Sequence, residues 1–300
     1  MTKSKQKFEI WTVVSILLLV MFLCFLVYPL IGLLKQSVYN DDGEFTWANF
    51  IRFFTYTNGY YLKPIWNSIK VTVSSTLVSL VLGIPIAYFY SFYKIKGAKV
   101  IFVLSVLCSM SAPFIGAYSW IILAGRQGIV TKLITALGLP APTIYGKGGI
   151  IFVFTLHLFP YIYLYTSGAM NSIDASLEEA AENLGMSKLK RIWTVTLPVV
   201  LPSILAGCVM VFMTCLADFG TPMLMGEGYV VLPVLVYNEY MSESAVNPYM
   251  ASALSVIIVT CSLLVLAFQK LVIDKRNYMM SSLRPPKETE LRGFKRFLVS

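Results

Sequence analysis

Apolar residues in this chain neither alternate nor keep to one helical face; they run. Six stretches, 10–34, 68–92, 99–123, 150–170, 198–217 and 250–272, carry almost no charge. Each is close to the roughly 20 residues a helix needs to cross a hydrocarbon core of about 30 Å. Hydrocarbon leaves every backbone polar group to be satisfied internally, so spanning segments are helices or closed barrels. Runs of this length without a two-residue period predict helices, and the expected fold class is an all-α polytopic membrane protein with six transmembrane helices. The first run is too long for the apolar part of a secretory signal, about 7–15 residues, and no small-x-small cleavage site follows it. Pro160 interrupts the fourth run, which a membrane helix tolerates when neighbours satisfy the freed carbonyl. Gly83, Gly116, Gly168 and Gly207 are expected to let helices pack closely.

The polar segments between these runs set an orientation. Of the 24 Lys and Arg residues, seventeen fall in or beside the N-terminus 1–9, the short segment 93–98, the long segment 171–197 and the tail 273–300. Seven fall in or beside the other loops, and the segment 218–249 holds Asp218, Glu227, Glu239 and Glu243 with no base. The positive-inside rule then places both termini in the cytoplasm. The loops 35–67 and 218–249 lie outside, the second of them external or re-entrant. The tail 281–300, with Pro285-Pro286 and alternating charge, is expected to fray or dock loosely.

Composition agrees with the pattern. The chain is 57% hydrophobic and 13% charged, against about 45–50% and 25% in a soluble domain. A soluble enzyme is excluded, and a net charge of +9 spread over short loops is not the clustered face of a nucleic-acid binder. The five cysteines lie inside apolar runs with no metal-ligand spacing, so they read as small hydrophobes and no metal site is expected. His157, the single histidine, is expected to hydrogen-bond a neighbouring helix rather than relay protons. Glu178-Glu179 starts like the Glu-Glu-x-x-x-Arg of membrane prenyl-peptidases, but position 183 is Asn. No Walker A loop, His-Glu-x-x-His or Gly-x-Ser-x-Gly occurs, and no catalytic residue is expected.

The segment 171–197 is long for an inter-helix loop, and it is patterned. Ser176 with Glu179 three residues on predicts a capped helix start, Ala180 and Ala181 favour its continuation, and Gly185 sits where a left-handed residue would end it. A second helical stretch, Ser187 to Thr196, carries Lys188, Lys190 and Arg191, and Pro198 suits the first turn of the next span. The string Glu179-Ala180-Ala181, three residues, Gly185, nine residues, Val195, one residue, then Leu197-Pro198 resembles the EAA loop of ABC-importer permeases. It departs from that family's pattern only in Val195 for Ile. The resemblance to binding-protein-dependent (type I) permeases covers about residues 65–270.

That resemblance implies a type I ABC importer permease fold in a bacterial inner membrane. It makes the loop residues Glu179, Ala180, Ala181, Gly185, Leu197 and Pro198 the contact with an ATPase. It implies two ATPase subunits that bind ATP and magnesium, a second permease chain, identical or sister, and an extracytoplasmic solute-binding protein. After the fifth run, Asp218-Phe219-Gly220-Thr221-Pro222 places an acid beside a helix breaker. Such an acid either lines a translocation pathway or caps the next helical segment. The Asp218–Thr221 run and the stretch from Leu232 are similar to the iron(III), polyamine and phosphonate branch of these permeases. Iron(III) is the first expectation for the solute, polyamine the second, a phosphonate or sugar phosphate the third. An ion-gradient transporter would show paired inverted repeats, and none is visible. A channel would need a selectivity ring, to which only Asp218 could contribute.

Overall fold

A computed structural model describes residues 10–40, 42–56, 59–92, 98–141, 143–173, 175–241 and 247–275. The expectations for the N-terminus 1–9 and for the tail beyond 275 lie outside the described residues. The chain is built from helices: α1 (Ile10–Phe22), α2 (Tyr28–Ser37), α3 (Ala48–Thr55), α4 (Leu62–Phe92), α5 (Ala98–Met110), α6 (Pro113–Ala124) and α7 (Ile129–Ala136). They continue with α8 (Gly146–Met170), α9 (Ala175–Asn183), α10 (Lys188–Arg191), α11 (Leu197–Ala217), α12 (Gly220–Met225), α13 (Leu232–Met241) and α14 (Pro248–Lys275). Among the described residues the sole β pairing is an isolated bridge between Tyr39 and Phe45.

Five helical segments are long and apolar enough to cross a membrane: Thr12–Ser37, α4, α8, Ile192–Ala217 and Pro248–Val272. The expected span at 99–123 is present as a broken one, the sixth when the bent pair is counted together. It is not one helix but two arms, α5 and the stretch from Pro113, bent by 108°. The cause is local. Proline disfavours helical geometry in the residue before it, and Ala112 sits at φ −69°, ψ 139°. Hydropathy counts apolar residues and is blind to a change of direction. Pro85, Pro160 and Pro202, by contrast, remain inside continuous helices.

Two other prolines are accommodated by a wider turn. The π segments Leu23–Val27 and Ile192–Thr196 each end two residues before a proline, Pro29 and Pro198. In each the N–H of the next residue donates five positions back, Tyr28 to Leu23 and Leu197 to Ile192. A π turn at such a point keeps the chain helical. The helix from Lys188 therefore runs without interruption into α11, and Pro198 lies inside it rather than at its start.

The core sits around α8. More than half of its apolar window is buried, whereas none of the first span's is. Lipid is as apolar as leucine, so packing between spans rests on close van der Waals contact. Ile162 of α8 is clasped from both sides by glycines: a Cβ on Gly83 of α4 would lie 3.0 Å from its side chain, and one on Gly207 of α11 would lie 3.1 Å from its Cα. Gly116 also approaches its neighbour, with 3.7 Å to His157 Nδ1. Gly168 has nothing within 4 Å of a Cβ, so no close approach within this chain depends on it. A second cluster, Phe53, Tyr61, Leu232, Leu235, Met250 and Leu254, joins α3, α13 and α14 to the start of α4. Backbone ties fix that end: Asn67 donates to the Val230 carbonyl at 2.9 Å and the Leu232 N–H to Ser68 Oγ at 2.7 Å.

Candidate functional site: the α9 turn and the breaks at membrane depth

The α9 loop forms as its residues dictate, with one shift. α9 begins at Ala175, a residue earlier than the Ser176–Glu179 capping pair implies; the side chains of that pair, Glu179 included, lie outside the described residues. The helix ends in a Schellman turn. Met186 N–H donates to the Ala181 carbonyl at 3.2 Å and Gly185 N–H to the Glu182 carbonyl at 2.8 Å, the two bonds of that motif. Gly185 has φ +75°, a conformation that costs any other L-residue about 1–2 kcal/mol. A Cβ there would meet nothing within 4 Å, so the backbone angle and not space selects glycine.

Behind the turn, Arg191 Nη1 meets Glu182 Oε2 at 2.7 Å and ties α9 to α10. Arg191 is the buried partner and Glu182 the exposed one. Ala181 faces inward at 5% exposure, while Leu177 at 48%, Ala180 and Leu184 at 77% face out. These last three are spaced to share one helical face. The result is a short helix with an uncovered apolar stripe, held by a turn and an ion pair to a helix that enters the bilayer. Leu197 and Pro198 are half-buried in that same helix, and Leu197 packs against the cluster of Tyr163, Val200 and Ile204.

The second site gathers the helix breaks. α5 has 13 residues, about 20 Å of helix, so the α5–α6 break falls well inside a core of about 30 Å. Carbonyls freed by proline at that depth must find donors. Pro113 frees the Ser109 carbonyl, which accepts from Tyr161 OH at 3.1 Å. Pro160 frees the Leu156 carbonyl, to which Cys108 Sγ donates at 3.7 Å. Each helix thus supplies the donor the other lacks. Ser111 Oγ reaches His157 Nδ1 at 3.3 Å and the Cys108 carbonyl at 2.9 Å. His157 therefore makes a hydrogen bond away from its own helix, to Ser111 in the break between α5 and α6 rather than to a helix proper.

Asp218 sits where α11 ends. Its Oδ1 accepts from Gly220 N–H at 2.7 Å and its Oδ2 from Thr221 Oγ1 at 2.8 Å. The carboxylate restarts the chain as α12, and the capping role named from sequence is met. Phe219 packs edge-on against Phe114 at 5.2 Å and stacks on Tyr237 at 5.4 Å. A Cβ on Gly220 would lie 3.0 Å from the Phe114 ring, so any larger residue there requires the ring to give way. The break in the third span and the break after α11 are thereby one contact. Sequence reasoning missed Phe114, Tyr237, Ser111 and Tyr161 here; Pro113 marks a point where the chain can break, but nothing along the sequence names its distant partners. The five cysteines are free, and among the described residues no group of three His, Cys, Asp or Glu could hold a metal.

A polytopic all-helical chain with a two-helix loop leading straight into a span describes a membrane permease. Residues 68–278, well over half of the chain, match the family model described as binding-protein-dependent transport system inner membrane component, and the chain belongs to that family. It is 29% identical over 280 residues to the ferric transport system permease protein FbpB of Actinobacillus pleuropneumoniae, covering 92% of this chain and 40% of that protein. It is 28% identical over 233 residues to the spermidine/putrescine transport system permease protein PotB of Haemophilus influenzae, covering 76% of this chain and 81% of that one. The chain spans about two fifths of the length of the ferric relatives it matches. Among solved structures it resembles a chain of a bacterial alginate ABC transporter at TM-score 0.73 and 19% identity, covering 88% of this chain and 94% of that one. It resembles a chain of the MetNI methionine ABC transporter at TM-score 0.56 and 18% identity, covering 72% and 95%. The fold is that of ABC importer permeases, and the chain is an inner-membrane protein.

Proposed function

We propose that this chain is a non-catalytic permease subunit of an ATP-driven importer, and that α9 is the knob through which an ATPase moves the spans. One observation carries the reading: an exposed apolar stripe on α9, fixed by the Gly185 turn and the Glu182–Arg191 pair to a helix continuous with α11. Two ATPase subunits, binding ATP and magnesium themselves, dock on this loop and on its counterpart in a second permease chain. The ferric relatives are more than twice as long as this chain, a length that leaves room for a second such unit. The Lys/Arg distribution puts α9 on the cytoplasmic side. An extracytoplasmic binding protein delivers the solute to the opposite side, and closure of the ATPases rocks the spans as rigid bodies between two openings.

The solute is a small positively charged one, in keeping with the segment 218–249, which holds four acids and no base. Iron(III) is the first assignment, following the ferric relatives. A polyamine is the second, because the chain covers four fifths of the spermidine/putrescine relative but only two fifths of a ferric one. Host cells lacking the chain should lose uptake of radiolabelled ferric iron, restored by the wild-type chain and not by Gly185→Val. Loss of spermidine uptake with iron uptake intact selects the polyamine. If neither changes, the cation assignment is wrong.

A further inference from the structure

A cavity of about 510 Å³ opens between α3, the start of α4, α13 and the start of α14, and nothing in the coupling or helix-break sites accounts for it. Its wall carries Tyr56, Tyr60 and Tyr61, with Glu239, Arg52 and Asn247. The three phenol rings meet one another at angles, with centroids 5.0–6.1 Å apart. Tyr61 is buried beside Glu239, close enough for the two side chains to influence each other's titration. Asn247 is committed to the frame, since its N–H donates to the Glu239 carbonyl at 3.0 Å and its Oδ1 accepts from Met250 N–H at 2.9 Å. The Glu239 backbone is thereby tied to the start of α14, and Glu239 lines the cavity.

Glu239 has no cation partner within ion-pair distance among the described residues, although Arg52 shares the cavity. Burial holds its carboxyl above the ordinary range, opposed by the neighbouring Tyr61 phenol. The same burial and the Glu239 charge push the Tyr61 phenol up to about 12 and raise that of Tyr60. The Tyr60 and Tyr61 phenols thus stay neutral and present ring faces and hydroxyls rather than phenolate ligands. A partly desolvated carboxylate walled by aromatic rings attracts an organic cation, each ring contact being worth about 0.5–2 kcal/mol. Size separates this from a bare metal ion, for the cavity lies within the roughly 300–1,000 Å³ of small-molecule sites.

We propose that this pocket binds a small organic ammonium ion, held by the Glu239 carboxylate and the faces of Tyr56 and Tyr60. Its place at the receiving mouth of the permease rests on the importer reading; the binding does not. The test is calorimetric titration of the full-length chain in lipid nanodiscs with spermidine and with tetramethylammonium, with ferric nitrilotriacetate and glucose as comparison ligands. Saturable binding of the ammonium probes is expected, weakened about tenfold or more by Glu239→Gln and less by Tyr60→Ala. Both variants should melt no lower than wild type by a few degrees, so that a lost fold is not mistaken for a lost site. Binding unchanged in Glu239→Gln would overturn the proposal, as would uptake of the ferric complex or glucose alone, or no saturable binding of either ammonium probe. An importer whose ATPase still co-purifies while these titrations fail loses this site and keeps its function.

Discussion

α11 treats its two ends in opposite ways. Towards α9 it does not stop: a π turn carries it through Pro198 into α10, and Arg191 locks the preceding helix against it. At the other end it stops at Ala217, and Asp218 turns the chain into α12. A continuous end transmits displacement as a lever does. A broken end places an acid and an aromatic ring at a change of direction, against the break in the third span. On the proposed reading, one span couples at its continuous end and gates at its broken one, and substitutions should separate the two.

The largest effect should come from the clasp that both ends depend on. Gly207→Leu drives a side chain into the Ile162 backbone, and overpacking of this kind costs about 1–3 kcal/mol or more. The variant should lose thermal stability in detergent and fail in every transport assay. Normal melting would mean that α11 does not bear on α8 as described. Gly185→Val follows, costing at least the roughly 1–2 kcal/mol of a left-handed non-glycine. Because the strain is confined to the turn, membrane insertion should persist while recovery of the ATPase in a mild-detergent pulldown falls.

Asp218 sharpens the contrast at the other end. Asp218→Ala removes a helix cap worth about 1 kcal/mol and should lower the melting temperature. Asp218→Asn keeps an acceptor for Gly220 N–H and should melt near wild type. If uptake fails in Asp218→Asn nonetheless, the charge acts on the solute as well as on the helix. The smallest stability change belongs to Glu182→Gln. The pair is exposed on the Glu182 side, and such pairs contribute about 0–1 kcal/mol. Its signature should be kinetic, with near-normal melting and a lower transport rate per ATP.

The α9 loop was legible in the sequence because its geometry is local. A glycine at the required angle, two alanines and a spacing of nine residues to Leu-Pro are all set by neighbours in the chain. Two details moved: the helix start, by one residue to Ala175, and Pro198, which lies inside a continuous helix rather than at its first turn. The break at Ala112 was not legible from hydropathy, since both arms are apolar. Pro113 alone could not have decided it when Pro85, Pro160 and Pro202 leave their helices unbroken. The contact of Phe219 with Phe114 and Tyr237 and the Tyr–Glu239 cavity join residues far apart in the chain, and no window along the sequence brings them together.

The central claim, that α9 is where an ATPase grips the chain, is tested most directly by placing a photo-crosslinking residue at Leu184, on the exposed stripe, and another at Leu137, exposed beyond α7. Illumination of intact membranes should join an ATPase subunit to the chain carrying the probe at 184 and not to that carrying it at 137. An adduct at neither position, or equal adducts at both, would contradict the account.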